Sequence, residues 1–184
     1  GSADAAYLIL LIEKLFSFSI PEEEKRQIAE ALGMDVAFFF IFGVQRAQGR
    51  GEQLLSMGTL STGKFLIITP KVLVPTPSVY KELKKEDYKD PIDAQMVWSA
   101  LQQKNYKNLQ LYTKNDLEAP LFRLFPQVER WKKDLISQLV PNFCMVSGSG
   151  PSIILIPKDY KKTRKWLERH EDQLDIFEVE GVNE

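Results

Sequence analysis

Apolar side chains crowd residues 4–16 (DAAYLILLIEKLF) almost all round a helical wheel, within a run of good helix formers, and this predicts a buried helix. The next helix has polar punctuation. Ser19, with Glu22 three residues on, fits a capping box, and Pro21 stands in the first turn. Ile28, Ala29 and Leu32 make its apolar stripe, and Gly33 its C-cap. Phe38 to Phe42 read as a buried aromatic strand. Gly43, Gly49 and Gly51 then break the pattern into a hairpin or a bulged strand. Lys64 to Pro70 forms a strand ended by proline, and Pro75-Thr76-Pro77 an extended or turn segment before a helix start at Ser78 to Leu83. Residues 84–91 (KKEDYKDP) read as an exposed connector. A helix capped by Asp93 runs to Gln103, Asn115-Asp116-Leu117-Glu118 opens another helical region, and an amphipathic helix covers Pro126 to Leu139. Two short apolar strands, Phe143 to Val146 and Ile153 to Ile156, precede a basic helix over Lys161 to Glu171 and a last strand over Asp175 to Val179. Helices and strands mix without regular alternation, which predicts an α+β fold.

Composition narrows the function classes. The 184 residues carry 24 Lys+Arg against 25 Asp+Glu, a net charge of −1, so no global field draws the chain to nucleic acid or an anionic membrane. One cysteine and one histidine exclude a disulfide framework, a Cys-rich zinc site and a histidine metal cluster, and suit a reducing compartment. The longest apolar run, Val36 to Phe42, falls far short of the ~20 residues a spanning helix needs. No Lys/Arg-rich region of a signal peptide stands near the start.

Four stretches could carry chemistry, and each also has a plain structural reading. Ser147-Gly148-Ser149-Gly150-Pro151 lets backbone N–H groups turn toward an anion, or is a tight hairpin between core strands. Asp35 supplies a carboxylate to accept a proton from a substrate hydroxyl, or is a solvated or capping aspartate. Gly1-Ser2-Ala3-Asp4 leaves helix N–H groups facing a phosphate, or is an expression scar followed by a cap. Thr76 and Tyr80 hold an aromatic base by a hydrogen bond and stacking, or Tyr80 packs in the core. Asn115-Asp116 is open between helix capping and polar recognition. His170 reads as solvated, the basic face of Lys161, Lys162, Arg164 and Lys165 as a solvated helix surface, and Cys144 as a buried thiol.

The order of these segments resembles one family, the 4-diphosphocytidyl-2-C-methyl-D-erythritol kinases of the GHMP small-molecule kinase superfamily. The matching residues are Gly1-Ser2-Ala3-Asp4-Ala5-Ala6, Leu32-Gly33-Met34-Asp35-Val36-Ala37-Phe38-Phe39, Gly49-Arg50-Gly51-Glu52, Pro75-Thr76-Pro77-Ser78-Val79-Tyr80, Asn115-Asp116-Leu117-Glu118 and Ser147 to Ser152. The resemblance implies a GHMP kinase fold: residues 1–60 the remnant of a ribosomal-protein-S5-like N-terminal domain, residues 61–184 a ferredoxin-like α+β C-terminal domain. It implies ATP- and Mg2+-dependent phosphorylation of the 2-hydroxyl of a cytidine-diphosphate-linked methylerythritol, in the non-mevalonate route to isoprenoids, the alternatives being a GHMP kinase acting on another alcohol and a non-catalytic ligand-binding relative. Asp35 matches the catalytic aspartate. Gly1 and Ser2 match the tail of the phosphate loop, and Ser147, Gly148, Ser149 and Gly150 a glycine turn beside the nucleotide. Thr76, Tyr80 and Arg50 match substrate-binding positions. Asp35 and the glycine turn are expected to share one cavity. The family usually reads Gly-Ala-Asp-Val-Pro where Met34 and Ala37 stand, and a serine where Ala3 stands, marking a divergent member. By analogy at the level of the family, about its first hundred residues find no counterpart here, so the chain is expected to be an incomplete portion, inactive alone. The remnant is then short of sheet partners, exposes apolar faces from Tyr7 to Phe16 and self-associates. A small-molecule substrate is the expected partner, with no nucleic acid or membrane. The expected location is the bacterial cytoplasm, or the plastid of a plant or alga.

Overall fold

Contacts divide the chain into two units, Gly1–Ser61 and Thr62–Gly181. The computed structural model describes residues 1–33, 35–41, 43–49, 51, 53–61 and 63–181.

The first unit opens with helix α1 (Ser2–Phe16), and α2 (Glu22–Leu32) follows. Lys25 ties them, pairing with Glu13 on α1 at 3.3 Å and with Glu22 on its own helix at 3.0 Å. Two expectations fail here. Only Ala6 of α1 is buried, while Leu8, Leu11, Leu15 and Phe16 are each more than half exposed. Ser19 caps nothing: the N-cap of α2 is Pro21, and the entry to the helix is held instead by Glu13 Oε1, which accepts the Ile20 N–H at 2.7 Å. That backbone bond is the main reason the Glu13 carboxyl lies below its ordinary pKa. Within the α2 stripe Ala29 is buried and Leu32 exposed. Gly33 closes the helix as expected, donating its N–H to Ala29.

The aromatic run is not a strand. Ala37–Phe40 forms a single 3-10 turn, in which the Phe38 and Phe39 rings meet edge to face at 5.2 Å. Gln45 Nε2 donates to Phe38 O at 2.9 Å and to Ile41 O, using carbonyls that a strand would give to a neighbour. The glycine-punctuated stretch does form a hairpin, β1 (Val44–Gln48) antiparallel to β2 (Gln53–Gly58), with an irregular register between Val44 and Gln45.

The second unit is built on a four-stranded antiparallel sheet in the order β4–β5–β3–β6, from β3 (Lys64–Pro70), β4 (Phe143–Val146), β5 (Ile153–Ile156) and β6 (Leu174–Glu180). Side chains alternate between its faces. Leu66, Ile68, Cys144, Val146, Ile153 and Leu155 point into the main core, against α3 (Thr76–Glu82), α6 (Glu118–Leu124), α7 (Pro126–Leu139) and α8 (Tyr160–Leu167). Phe143, Met145, Ile154 and Ile156 face the other way, onto α4 (Ala94–Gln102) and α5 (Tyr106–Tyr112). Both faces of β4 and β5 are thus covered, which is why these strands read as unbroken apolar runs. Asp93 caps α4, accepting the Gln95 and Met96 N–H groups. Helix α5 has no counterpart among the expected elements, and α3 begins at Thr76, two residues before the expected start.

Two polar expectations also change. The connector at 84–91 is not wholly solvated. Asp87 is buried, and the Arg123 guanidinium grips it through two bonds of 2.9 and 2.7 Å, holding its carboxyl down at about 2. His170 is half-buried rather than solvated, stacked on Trp166 at 4.0 Å with Trp131 edge-on at 5.5 Å. Cys144 is buried as expected, and that burial pushes its thiol up to about 11. Among the described residues no helix is long and apolar enough to cross a membrane.

Candidate active site

In the first unit the sequence places Asp35 directly after helix α2, in the turn before the aromatic 3-10 segment rather than at the head of a strand, and its side chain is exposed. Val36 beside it is buried with Ala6 and Ala29, so the turn is anchored to both helices. Gly33 lies against the start of α1: a Cβ built there would stand 3.9 Å from Ser2 Oγ and 3.6 Å from Val36 Cγ2. Ser2 therefore lies against Gly33, which stands two positions before Asp35 in the sequence. The Gly1 nitrogen pairs with Asp4 at 2.7 Å, and Gly1 O accepts the Ala5 N–H. Arg50 lies outside the described residues.

In the second unit a different cluster assembles. The turn Ser147–Ser152 joins β4 to β5, and is closed by Ser147 N–H to Ser152 O and Gly150 N–H to Ser147 O, each 2.9 Å. The N–H groups of Gly148 and Ser149 take no part in closing it. Gly148 has φ +54 and open space where a Cβ would stand. Gly150 has φ +73, and a Cβ there would lie 2.6 Å from Leu121 Cδ2. One glycine faces outward, then, and the other is pressed onto the core.

Three polar side chains hold this turn. Thr76, at the first position of α3, shares a 2.9 Å hydrogen bond between its hydroxyl and that of Ser149. Asn115 Nδ2 donates to Gly148 O at 2.8 Å and to Val146 O at 3.0 Å, while its Oδ1 accepts the Leu117 N–H. Asn115 thus both shapes the entry to α6 and clasps the turn. Glu118 Oε1 accepts the Val146 N–H at 3.0 Å and the Lys132 ammonium at 2.5 Å, fixing the strand end from which the turn departs. Glu118 was legible only as part of the Asn-Asp-Leu-Glu segment, and Lys132 carried no signal. Tyr80 is 59% exposed, one turn along α3 from Thr76, so its ring is offered to solvent rather than packed in the core.

The N–H groups of Gly148 and Ser149 close no bond of the turn, and the Thr76–Ser149 hydroxyl pair keeps one hydrogen to donate, a set of donors on a glycine turn that suits an anion. Among the described residues no group of three His, Cys, Asp or Glu side chains assembles to hold a metal ion.

No family model matches the chain. Curated relatives named 4-diphosphocytidyl-2-C-methyl-D-erythritol kinase do. The protein from Syntrophomonas wolfei is 31% identical over 92% of this chain and 59% of its own length. The one from Carboxydothermus hydrogenoformans is 28% identical over 90% of the chain and 57% of its own. The chain spans less than two thirds of the length of these relatives. A crystal structure of 4-(cytidine 5'-diphospho)-2C-methyl-D-erythritol kinase superposes with a TM-score of 0.80 at 25% identity, over 98% of this chain and 65% of that one. A homoserine kinase from Cytophaga hutchinsonii, 16% identical over 94% of this chain and 61% of its own, shares the fold with a TM-score of 0.67. The chain is related along nearly its whole length to the 4-diphosphocytidyl-2-C-methyl-D-erythritol kinases, the family that its motifs resemble, and has the mixed α+β fold of the GHMP kinases.

Proposed function

We propose that this chain is part of an ATP-dependent phosphotransferase whose acceptor is the 2-hydroxyl of 4-diphosphocytidyl-2-C-methyl-D-erythritol. The observation that carries the reading is the meeting of Thr76, Asn115 and the Ser147–Gly150 turn, held by bonds between residues up to 73 positions apart. Phosphoryl transfer asks a protein mainly for positioning and for stabilisation of phosphate charge. In this reading the N–H groups of Gly148 and Ser149 in the second unit bind phosphate oxygens, and in the first unit the resemblance assigns a phosphate contact to Gly1 and Ser2 at the N-terminus of α1. Asp35, exposed in the turn after α2, orients the attacking hydroxyl and takes its proton. Tyr80 offers a ring for the cytosine to stack on, with Thr76 positioned by Ser149. ATP, when bound, supplies the transferred phosphoryl group. The described residues offer no carboxylate cluster for Mg2+, so no protein ligand is assigned to it.

The relatives' greater length leads to two expectations. Residues 1–184 alone show no ATP-dependent turnover, and the longer protein containing them phosphorylates the cytidine-linked substrate. In that longer protein Asp35→Asn lowers kcat by about a thousandfold or more with KM little changed, because it removes an interaction made in the transition state. Turnover within about threefold of the parent after Asp35→Asn would overturn the assignment.

A further inference from the structure

Not every basic residue of the second unit belongs to the site above. The face of α8 that carries Lys161 and Arg164 reads in the sequence as solvated, yet the fold turns both into a concavity together with residues from three other places. These are Lys64 at the start of β3, Lys104 in the turn between α4 and α5, and Asn142 just before β4. The cavity is about 720 Å³, the size range of small-molecule sites. Tyr106 and Tyr160 form part of its wall. It opens at the end of the sheet where β5 leaves into Pro157, whereas the glycine turn joins the other ends of β4 and β5. At about 3.3 Å per residue, the four-residue strands separate the two places by about 10 Å.

Charge is the informative feature. The lining carries four basic side chains and one carboxylate, Glu178. Glu178 bridges Lys64 at 2.7 Å and Arg164 at 3.3 Å. Glu180, in register with Lys64, lies beyond the lining. Among the described residues Lys104 and Lys161 have no ion-pair partner. Lys104 is moreover held at φ +50, a left-handed conformation lysine rarely adopts, locked by its own N–H to Leu101 O and by Asn105 N–H to Ala100 O. Two unpartnered ammonium groups beside the Lys64–Glu178–Arg164 trio give the concavity a positive field. Such a field recognises a ligand with two adjacent anionic centres, and a concavity of this volume has room for a small molecule.

We infer that this cavity is a second binding site, remote from the glycine turn, for a small molecule carrying a diphosphate. The site stands independently of the proposed kinase reaction. The test is titration of the 15N-labelled chain with sodium pyrophosphate at about 0.15 M salt, where weak surface attraction is screened. Saturable shifts are expected at the amides of Gly63, Lys104, Tyr106, Tyr160 and Lys161, with little change at Gly148 and Ser149. A Lys104→Gln/Lys161→Gln variant is expected to bind at least about tenfold more weakly, while Lys133→Gln, on the exposed side of α7, binds as the parent does. If the double variant loses its folded spectrum, Lys161→Gln alone is read, with a loss of about threefold or more expected. Absence of saturation, shifts centred on Gly148 and Ser149, or unchanged binding by the folded lysine variants would overturn the inference. So would displacement of pyrophosphate by a far tighter single-stranded oligonucleotide, which would make the surface a polymer site.

Discussion

The two glycines of the Ser147–Ser152 turn are predicted to respond very differently to one added methyl group. Both have positive φ, +54 at Gly148 and +73 at Gly150, so alanine at either carries left-handed strain of about 1–2 kcal/mol. At Gly148 nothing lies within 4 Å of the new Cβ, and strain is the whole effect. At Gly150 the Cβ would sit 2.6 Å from Leu121 Cδ2 and 3.3 Å from both Leu121 Cδ1 and Val146 Cγ1. Leu121 and Val146 are fully buried, so neither has free volume to move into. Overpacking of this kind adds about 1–3 kcal/mol. Gly150→Ala is therefore expected to lose about 2–5 kcal/mol and Gly148→Ala about 1–2 kcal/mol. Urea denaturation followed by tryptophan fluorescence is the natural assay, because Trp98, Trp131 and Trp166 all lie in the second unit. Equal losses at the two positions, or a larger loss at Gly148, would refute the account of an inward and an outward glycine. The same pair bears on the proposed function: under that reading Gly148→Ala is expected to impair nucleotide binding beyond its small effect on stability, since the methyl would stand where the proposal puts phosphate oxygens.

Two further outcomes concern stability alone. Because Arg123 holds the Asp87 carboxyl at about 2 against an ordinary 3.8, this group stabilises the fold above its unfolded value, and the stabilisation drains away as pH falls from about 4 to about 2. Asp87→Asn should flatten the fall of the urea midpoint over that acid window and lower the midpoint near neutrality; a parent-like acid slope in the variant would contradict this. Val140 ends α7 at φ +47, a conformation that β-branched residues strongly disfavour, while its side chain is 57% exposed. Val140→Gly should gain about 0.5–1 kcal/mol net of the added freedom of the unfolded chain, measured by thermal melting against Val140→Ala, which keeps most of the strain.

What the sequence reveals and what it conceals divide along the range of the forces involved. Strands β4 and β5 and helix α7 are legible because their signals are local and agree with their surroundings: apolar runs covered on both faces, and a proline at the first turn of a helix with a periodic stripe. The Phe38–Phe42 run misleads because its apolar content fits a strand as well as a turn, and a strand needs a partner that local pattern cannot supply. Here Gln45 takes the Phe38 and Ile41 carbonyls and the segment coils. Helix α5 escapes notice because its seven residues leave little room for periodicity, and its start is set by Asn105 accepting the Asn108 N–H. Exposure of α1 is hidden from its wheel, which is apolar all round whether or not anything covers it, and is implied only by the resemblance, which leaves this segment short of sheet partners. The candidate site is harder still. Thr76, Asn115 and Ser149 are unremarkable singly, and only their order along the chain, matched to a family, set them together in advance. Glu118 falls within a matched segment, but its role does not: it holds a backbone N–H on a strand 28 residues away, and Lys132, which pairs with it, lies outside every matched segment. A carboxylate kept for that purpose looks in the sequence like any first-turn glutamate of a helix. The residues that position a site are thus the ones least visible in sequence, and the Glu118–Val146 bond is the structural detail that the sequence had no means to announce.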